Sequence, residues 1–234
     1  MFRRRLLHHG PSHFRQRGDV LRFRLPRGIA RRGRFGLLGL ILLLPLLTAW
    51  ADSWEGLRAA AQGITSLEAR FVQKKTLPML ARPFLSEGRF SYQAPDRLRW
   101  EYDRPVRSVL IVNGRDIKRY RKERDGWRED TGAALSVMQT VMEEILHWQQ
   151  GRFDANPHFE ATLETGSEPK VTLTPKDPAW RKMLRRIELT LSRRQAGVMQ
   201  SVRVVEDERS FTLLEFGQVA VNRPLPAARF RDVE

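Results

Sequence analysis

Residues 88–114, GRFSYQAPDRLRWEYDRPVRSVLIVNG, constrain the fold more than any other stretch. Three short runs are broken at Pro95, at Asp103-Arg104-Pro105 and at Asn113-Gly114. In the middle run Leu98, Trp100 and Tyr102 alternate with Arg97, Arg99 and Glu101. A strand sends alternate side chains to opposite faces, so one face is large and apolar and the other charged. Such a pattern builds a sheet with one greasy side, and no catalytic group accompanies it. Asn113-Gly114 predicts a hairpin with a type I′ turn, in which both residues take positive φ.

Similar alternation recurs along the chain. Leu67, Ala69 and Phe71 alternate with Glu68 and Arg70; Phe90 and Tyr92 share a face in 88–93. Phe159, Ala161 and Leu163 follow the same rule, as do Val171 and Leu173. Met183, Ile187, Leu189 and Leu191 read as the next run, followed by Val198, Val202 and Val204 and then 211–217. The run 116–122 is heavily charged and reads as an exposed strand. Short strands joined by polar turns indicate an antiparallel meander. Residues 77–87, LPMLARPFLSE, are apolar but broken by two prolines and read as a loop.

Two helices interrupt this rhythm. Asp52 or Ser53 can cap a short one through Ile64, with Trp54, Leu57 and Ala61 on one side. Leu135, Met138, Val141, Met142, Ile145 and Trp148 recur at spacings of three and four, which predicts an amphipathic helix over 132–150. Glu143-Glu144 reads as its solvated flank. One long and one short helix must cover many apolar strand rows. That imbalance, and the adaptable side chains of Met138 and Met142, point to a ligand cavity rather than a filled core.

The net charge of +15 is concentrated at the start. Residues 1–34 hold eleven arginines and one acid, Asp19, leaving 31 Lys and Arg against 26 Asp and Glu in the remainder. Without a recognition motif, that excess does not describe a nucleic-acid binder. The apolar run 35–47 and the small residues of Thr48-Ala49-Trp50-Ala51 complete the pattern of an export signal, with cleavage expected after Ala51. The apolar run is too short to span a bilayer. The length of the basic segment points to a start codon downstream of Met1. Residues 52–234 then form a single domain.

That domain has no cysteine and two histidines, His147 and His158, far apart in sequence. It carries no G-x-S-x-G, no H-E-x-x-H and no phosphate-binding glycine loop. The expectation is a protein that is not an enzyme and needs no metal or cofactor.

The chain resembles the LolA family of periplasmic outer-membrane lipoprotein carriers. Phe71-Val72-Gln73-Lys74 is similar to its early F-x-Q-K strand. Gly88 through Pro95, then Leu98-Arg99-Trp100 and Pro105, resembles its G-x-[LF]…P-x-x-[LF]-x-W…P run. Leu110 to Gly114 and Leu173-Thr174-Pro175-Lys176 resemble later segments. The resemblance implies an α+β fold: a strongly curved, unclosed antiparallel β-barrel of about 10–11 strands, with helices forming a lid over the concave apolar face. It implies that acyl chains of a lipoprotein, or a related lipid, bind between them. The cargo would come from an inner-membrane ABC transporter (LolCDE-like) and pass to an outer-membrane acceptor (LolB-like), with the carrier a periplasmic monomer.

On this resemblance the acyl cavity wall comprises Phe71, Phe90, Tyr92, Leu98, Trp100 and Tyr102, and the lid Leu135, Met138, Val141, Met142 and Ile145. Leu98→Glu is then expected to abolish lipid binding and spare the fold. The family places an arginine before the proline, where it holds the lid closed; this chain has Ala94 before Pro95, and strand parity puts Arg97 and Arg99 opposite Leu98. The family also continues past the residue matching Phe230. These departures imply a different lipid cargo or a looser lid. The same fold also serves a periplasmic sensor or adaptor, as in RseB, which would bind a protein partner instead.

Overall fold

A computed structural model describes residues 52–131, 133–154 and 156–233. The side chains of residues 133–140 lie outside the described set, and so does the expected export signal.

Eleven strands form one antiparallel sheet: β1 (Ser66–Thr76), β2 (Phe84–Gln93), β3 (Arg97–Arg104), β4 (Ser108–Asn113), β5 (Asp116–Glu123), β6 (Gly126–Glu129), β7 (Phe159–Glu164), β8 (Lys170–Pro175), β9 (Arg186–Leu191), β10 (Met199–Val205) and β11 (Phe211–Val221). Their spatial order is β6-β5-β4-β3-β2-β1-β11-β10-β9-β8-β7, so the first strand pairs with the last and the sheet never closes. The helices are α1 (Trp54–Gln62), α2 (Ala133–Gln149) and α3 (Pro178–Met183). Among the described residues no helix is long and apolar enough to cross a membrane.

Register carries one apolar face across the sheet. Tyr92 faces Leu98, Phe90 faces Trp100, and Leu98 and Trp100 face Val112 and Leu110 in turn. On the other side Phe71 meets Phe216, Leu214 meets Val202, and Val202 meets Leu189. Trp100 and Val202 are four strands apart, roughly 19 Å on a flat sheet at the usual spacing. Both nevertheless line one cavity, which requires the sheet to curl.

Ser53 caps α1, its Oγ accepting from the Gly56 N–H at 3.0 Å, and Leu57 and Ala61 are the buried residues of the helix. Behind the sheet, Arg99 is buried on the polar face. Its Nη1 donates to the carbonyls of Arg229 (2.9 Å) and Asp232 (2.7 Å), which pins a short 3-10 turn (Ala227–Phe230) and buries Phe230.

The structure departs from the sequence reading in four places. Met183 does not lie on a strand: Asp177 accepts from the Ala179 N–H at 2.6 Å and Pro178 sits at the first helical position, so α3 forms and leaves Met183 64% exposed. Residues 77–87 are not wholly loop, because β2 starts at Phe84, opposite Lys75. Residues 126–129, which the sequence reading leaves unassigned, form an edge strand. The Asn113-Gly114 hairpin exists, but Asn113 pairs with Asp116, so the turn is centred on Gly114-Arg115. Only Gly114 has positive φ there (+64°), the pattern of a type II′ rather than a type I′ turn.

Candidate lipid cavity

Large side chains from β2, β3, β9, β10 and β11 converge on the concave face, and α2 lies over them. Between sheet and helix is a cavity of about 290 Å³. Pockets that hold small ligands usually measure ~300–1,000 Å³. The floor is an aromatic cluster. The Trp100 ring lies 5.0 Å from Phe71, 5.4 Å from Phe90 and 6.4 Å from Phe216. Tyr102 meets Phe71 edge-on at 5.2 Å. Such geometry stabilises aromatic pairs beyond the area they bury.

Gly88 makes the cluster possible. A Cβ there would clash with the Glu101 carbonyl and come within 2.6 Å of Phe71 Cζ. The absence of a side chain lets the Phe71 ring cross β2 and reach Trp100 and Tyr102.

Of the sequence-assigned wall residues, Phe90, Trp100 and Tyr102 line the cavity. Phe71, Tyr92 and Leu98 are on the same face but packed solid behind it, with Leu98 fully buried. In α2, Val141, Met142 and Ile145 line the cavity from above. The side chains of Leu135 and Met138 lie outside the described set. The sequence reading did not include Phe216, Leu214, Val202 or Val204, although all sit on alternating runs, nor Trp180, which α3 brings to the rim.

Polar groups mark two parts of the wall. At the β1–β3 end the Tyr102 hydroxyl donates to Gln73 Oε1 at 2.7 Å, and burial pushes its phenol pKa up. Arg119, from the charged strand β5, also reaches the lining.

At the helix, Glu144 corrects the sequence reading. It is buried against the cavity rather than solvated, and its carboxylate accepts from the Asn156 side-chain amide. Asn156 is held in turn because its Oδ1 accepts the backbone N–H groups of His158 (2.8 Å) and Phe159 (3.1 Å). A heptad-like stripe cannot reveal this, because the partner arrives from the following loop. The Trp148 indole N–H is buried without a hydrogen-bond partner among the described residues. His147, on the same helix, is half-buried, and desolvation lowers its pKa.

The arrangement can hold apolar matter away from water. No group of three or more His, Cys, Asp or Glu that could bind a metal occurs among the described residues.

Comparison with known proteins agrees with this geometry. Residues 62–232 match the family model described as outer membrane lipoprotein carrier protein LolA. The outer-membrane lipoprotein carrier protein of Methylibium petroleiphilum is 25% identical over 205 residues, spanning 86% of this chain and 93% of that one. The carrier of the same name from Coxiella burnetii is 26% identical over 213 residues, spanning 83% and 90%. Among solved structures, an uncharacterized conserved protein from Thermus thermophilus superposes with a TM-score of 0.50 at 8% identity, covering 77% of this chain and 93% of that one, a likeness of fold alone. The chain belongs to the LolA family, a family of outer-membrane lipoprotein carriers rather than enzymes.

Proposed function

We propose that this protein carries the acyl chains of a lipoprotein, or of a related lipid, through the periplasm in the cavity between the sheet and α2. The observation that carries the reading is the cavity itself: about 290 Å³, floored by Phe90, Trp100 and Phe216 and roofed by Val141, Met142 and Ile145. Each CH₂ taken from water contributes about 0.8 kcal/mol, so an exposed acyl chain crosses an aqueous compartment only at high cost. A carrier must also release its load, which fits a roof made by one helix that can move.

In this reading residues 1–51 direct export and are removed after Ala51, and the remainder is one domain. Phe90, Trp100 and Tyr102 contact the acyl chain. Phe71, Tyr92 and Leu98 back that wall, and Leu135 and Met138 extend the lid formed by Val141, Met142 and Ile145. The cargo arrives from an inner-membrane ABC transporter and leaves to an outer-membrane acceptor, with the carrier working as a monomer.

The test is to purify the protein from the cell envelope and identify co-purifying lipid by mass spectrometry, then add spheroplasts that display acylated lipoprotein. Acyl lipid in the protein and soluble transfer of lipoprotein to it support the reading. A lipid-free protein that releases no lipoprotein refutes it.

A further inference from the structure

The β1–β2 hairpin ends in residues 77–85, LPMLARPFL, which the cavity does not use. Met79 is 84% exposed, Leu85 55%, Phe84 51% and Leu80 42%. Single exposed apolar residues are ordinary, whereas a cluster of them at one tip marks an interaction site.

Register shows how the cluster is presented. Phe84 pairs with Lys75 and Leu85 with Lys74, so these two neighbours leave opposite faces of the hairpin. A protein groove covers one face of a hairpin; the headgroup region of a bilayer surrounds both. Between Gln73 and Glu87 the chain contains Lys74, Lys75 and Arg82 and no acidic residue. Lys74 and Lys75 are paired with Glu215 and Glu206, and Arg82 is exposed at the tip itself. Val106, 60% exposed in the neighbouring β3–β4 turn, adds an apolar side chain at the same end of the sheet.

That end is also an end of the cavity. Gln73 and Tyr102 line the cavity, and Leu77 is four residues beyond Gln73, roughly 13 Å along an extended chain.

We infer that the 77–85 tip is a membrane-docking surface that seats its apolar side chains in the interfacial region of an anionic bilayer, with Arg82 among the lipid phosphates. Shallow apolar insertion together with basic charge is the usual chemistry of reversible surface binding. The inference goes beyond the carrier reading and does not depend on it, since the tip would partition whether or not the cavity is filled.

Flotation of the protein with vesicles tests it. The vesicles are phosphatidylethanolamine with phosphatidylglycerol, and phosphatidylcholine alone as the uncharged comparison. The wild type floats with the anionic vesicles. The triple variant Met79→Ser, Phe84→Ser, Leu85→Ser loses about tenfold or more in partitioning, because most of its inserted apolar area is gone. Arg82→Glu weakens binding to anionic vesicles and leaves binding to phosphatidylcholine unchanged, and high salt removes that difference. Both sets of changes are in solvent, and an unchanged cooperative thermal transition shows that the fold survives.

Equal flotation of wild type and triple variant overturns the inference. So does a wild-type dimer that the triple variant abolishes, or a photo-crosslink from position 79 to one envelope protein with no vesicle binding. Flotation by a protein that takes up no acyl probe supports the inference while refuting the carrier reading.

Discussion

The Gln150 side-chain amide donates from Nε2 to the Pro95 carbonyl oxygen at 2.8 Å. This bond ties the residue just beyond α2 to the β2–β3 turn at the strand ends. In the arrangement that the family resemblance implies, an arginine before the proline reaches the lid; here Ala94 cannot, and the helix end supplies the donor instead. A neutral, exposed hydrogen bond contributes about 0.5–1.5 kcal/mol. Gln150→Leu should therefore speed dissociation of a fluorescent acyl probe by about three- to tenfold, measured by stopped flow, with little change in melting temperature. An unchanged rate would show that the bond does not hold the helix down.

A carboxylate placed in the cavity should separate binding from folding, and its position matters. Val204 lines the cavity and is partly exposed. Val204→Glu should lower acyl-probe affinity by about tenfold or more, because an unpaired charge is costly in an apolar site. It should still unfold cooperatively. Leu98→Glu should fail to fold instead, since Leu98 is fully buried and lies behind the cavity wall. Wild-type affinity in Val204→Glu would contradict the cavity assignment.

Gly88→Ala should be destabilising through contact alone, since Gly88 is not among the positive-φ residues. The new methyl meets the Glu101 carbonyl and the Phe71 ring, both fixed. Overpacking of this kind costs about 1–3 kcal/mol, or a drop of roughly 2–10 °C in Tm. Trp100 fluorescence should shift as Phe71 is displaced. An unaltered Tm would mean that β2 and β3 separate freely at this point.

How far the sequence specified the structure depended on how local each signal was. The alternation Leu98-Trp100-Tyr102 and the Ser53 cap are written within a few residues, and both appear in the structure. The resemblance correctly implied an open sheet with helices. Parity assigns a face but not a depth: Phe71, Trp100 and Leu98 share the apolar face, yet register and the helix above decide that Trp100 meets space and Leu98 does not. The burial of Glu144 is hidden in the sequence for a related reason. Its helical position looks like a flank, and only Asn156, twelve residues later, makes burial of its carboxylate tolerable. The alternation of Ile187, Leu189 and Leu191 extends by parity back to Met183, but Asp177-Pro178 starts a helix that ends on that residue.

Acid should destabilise the protein partly through His147. Burial lowers its pKa below the ordinary 6.5, Arg152 adds to the shift, and Glu144 and Glu143 oppose it while His158 lowers it slightly. The unfolded chain therefore binds a proton at a pH where the folded chain does not. This contribution to stability is complete above the ordinary value and declines as pH falls through it. His147→Gln should flatten the fall in Tm between about pH 7 and about pH 5 relative to wild type. Parallel profiles would show that the imidazole titrates alike in both states.

In the proposed function, cargo acyl chains occupy the space beneath α2. The most direct measurement places a photo-crosslinking amino acid at Val204, on the cavity wall, and separately at Lys118, which does not line the cavity, in strand β5. Cells are fed radioactive palmitate and irradiated. Palmitate-labelled lipoprotein or lipid should be joined to the protein from position 204 and not from position 118. No label at either position, or equal label at both, would contradict it.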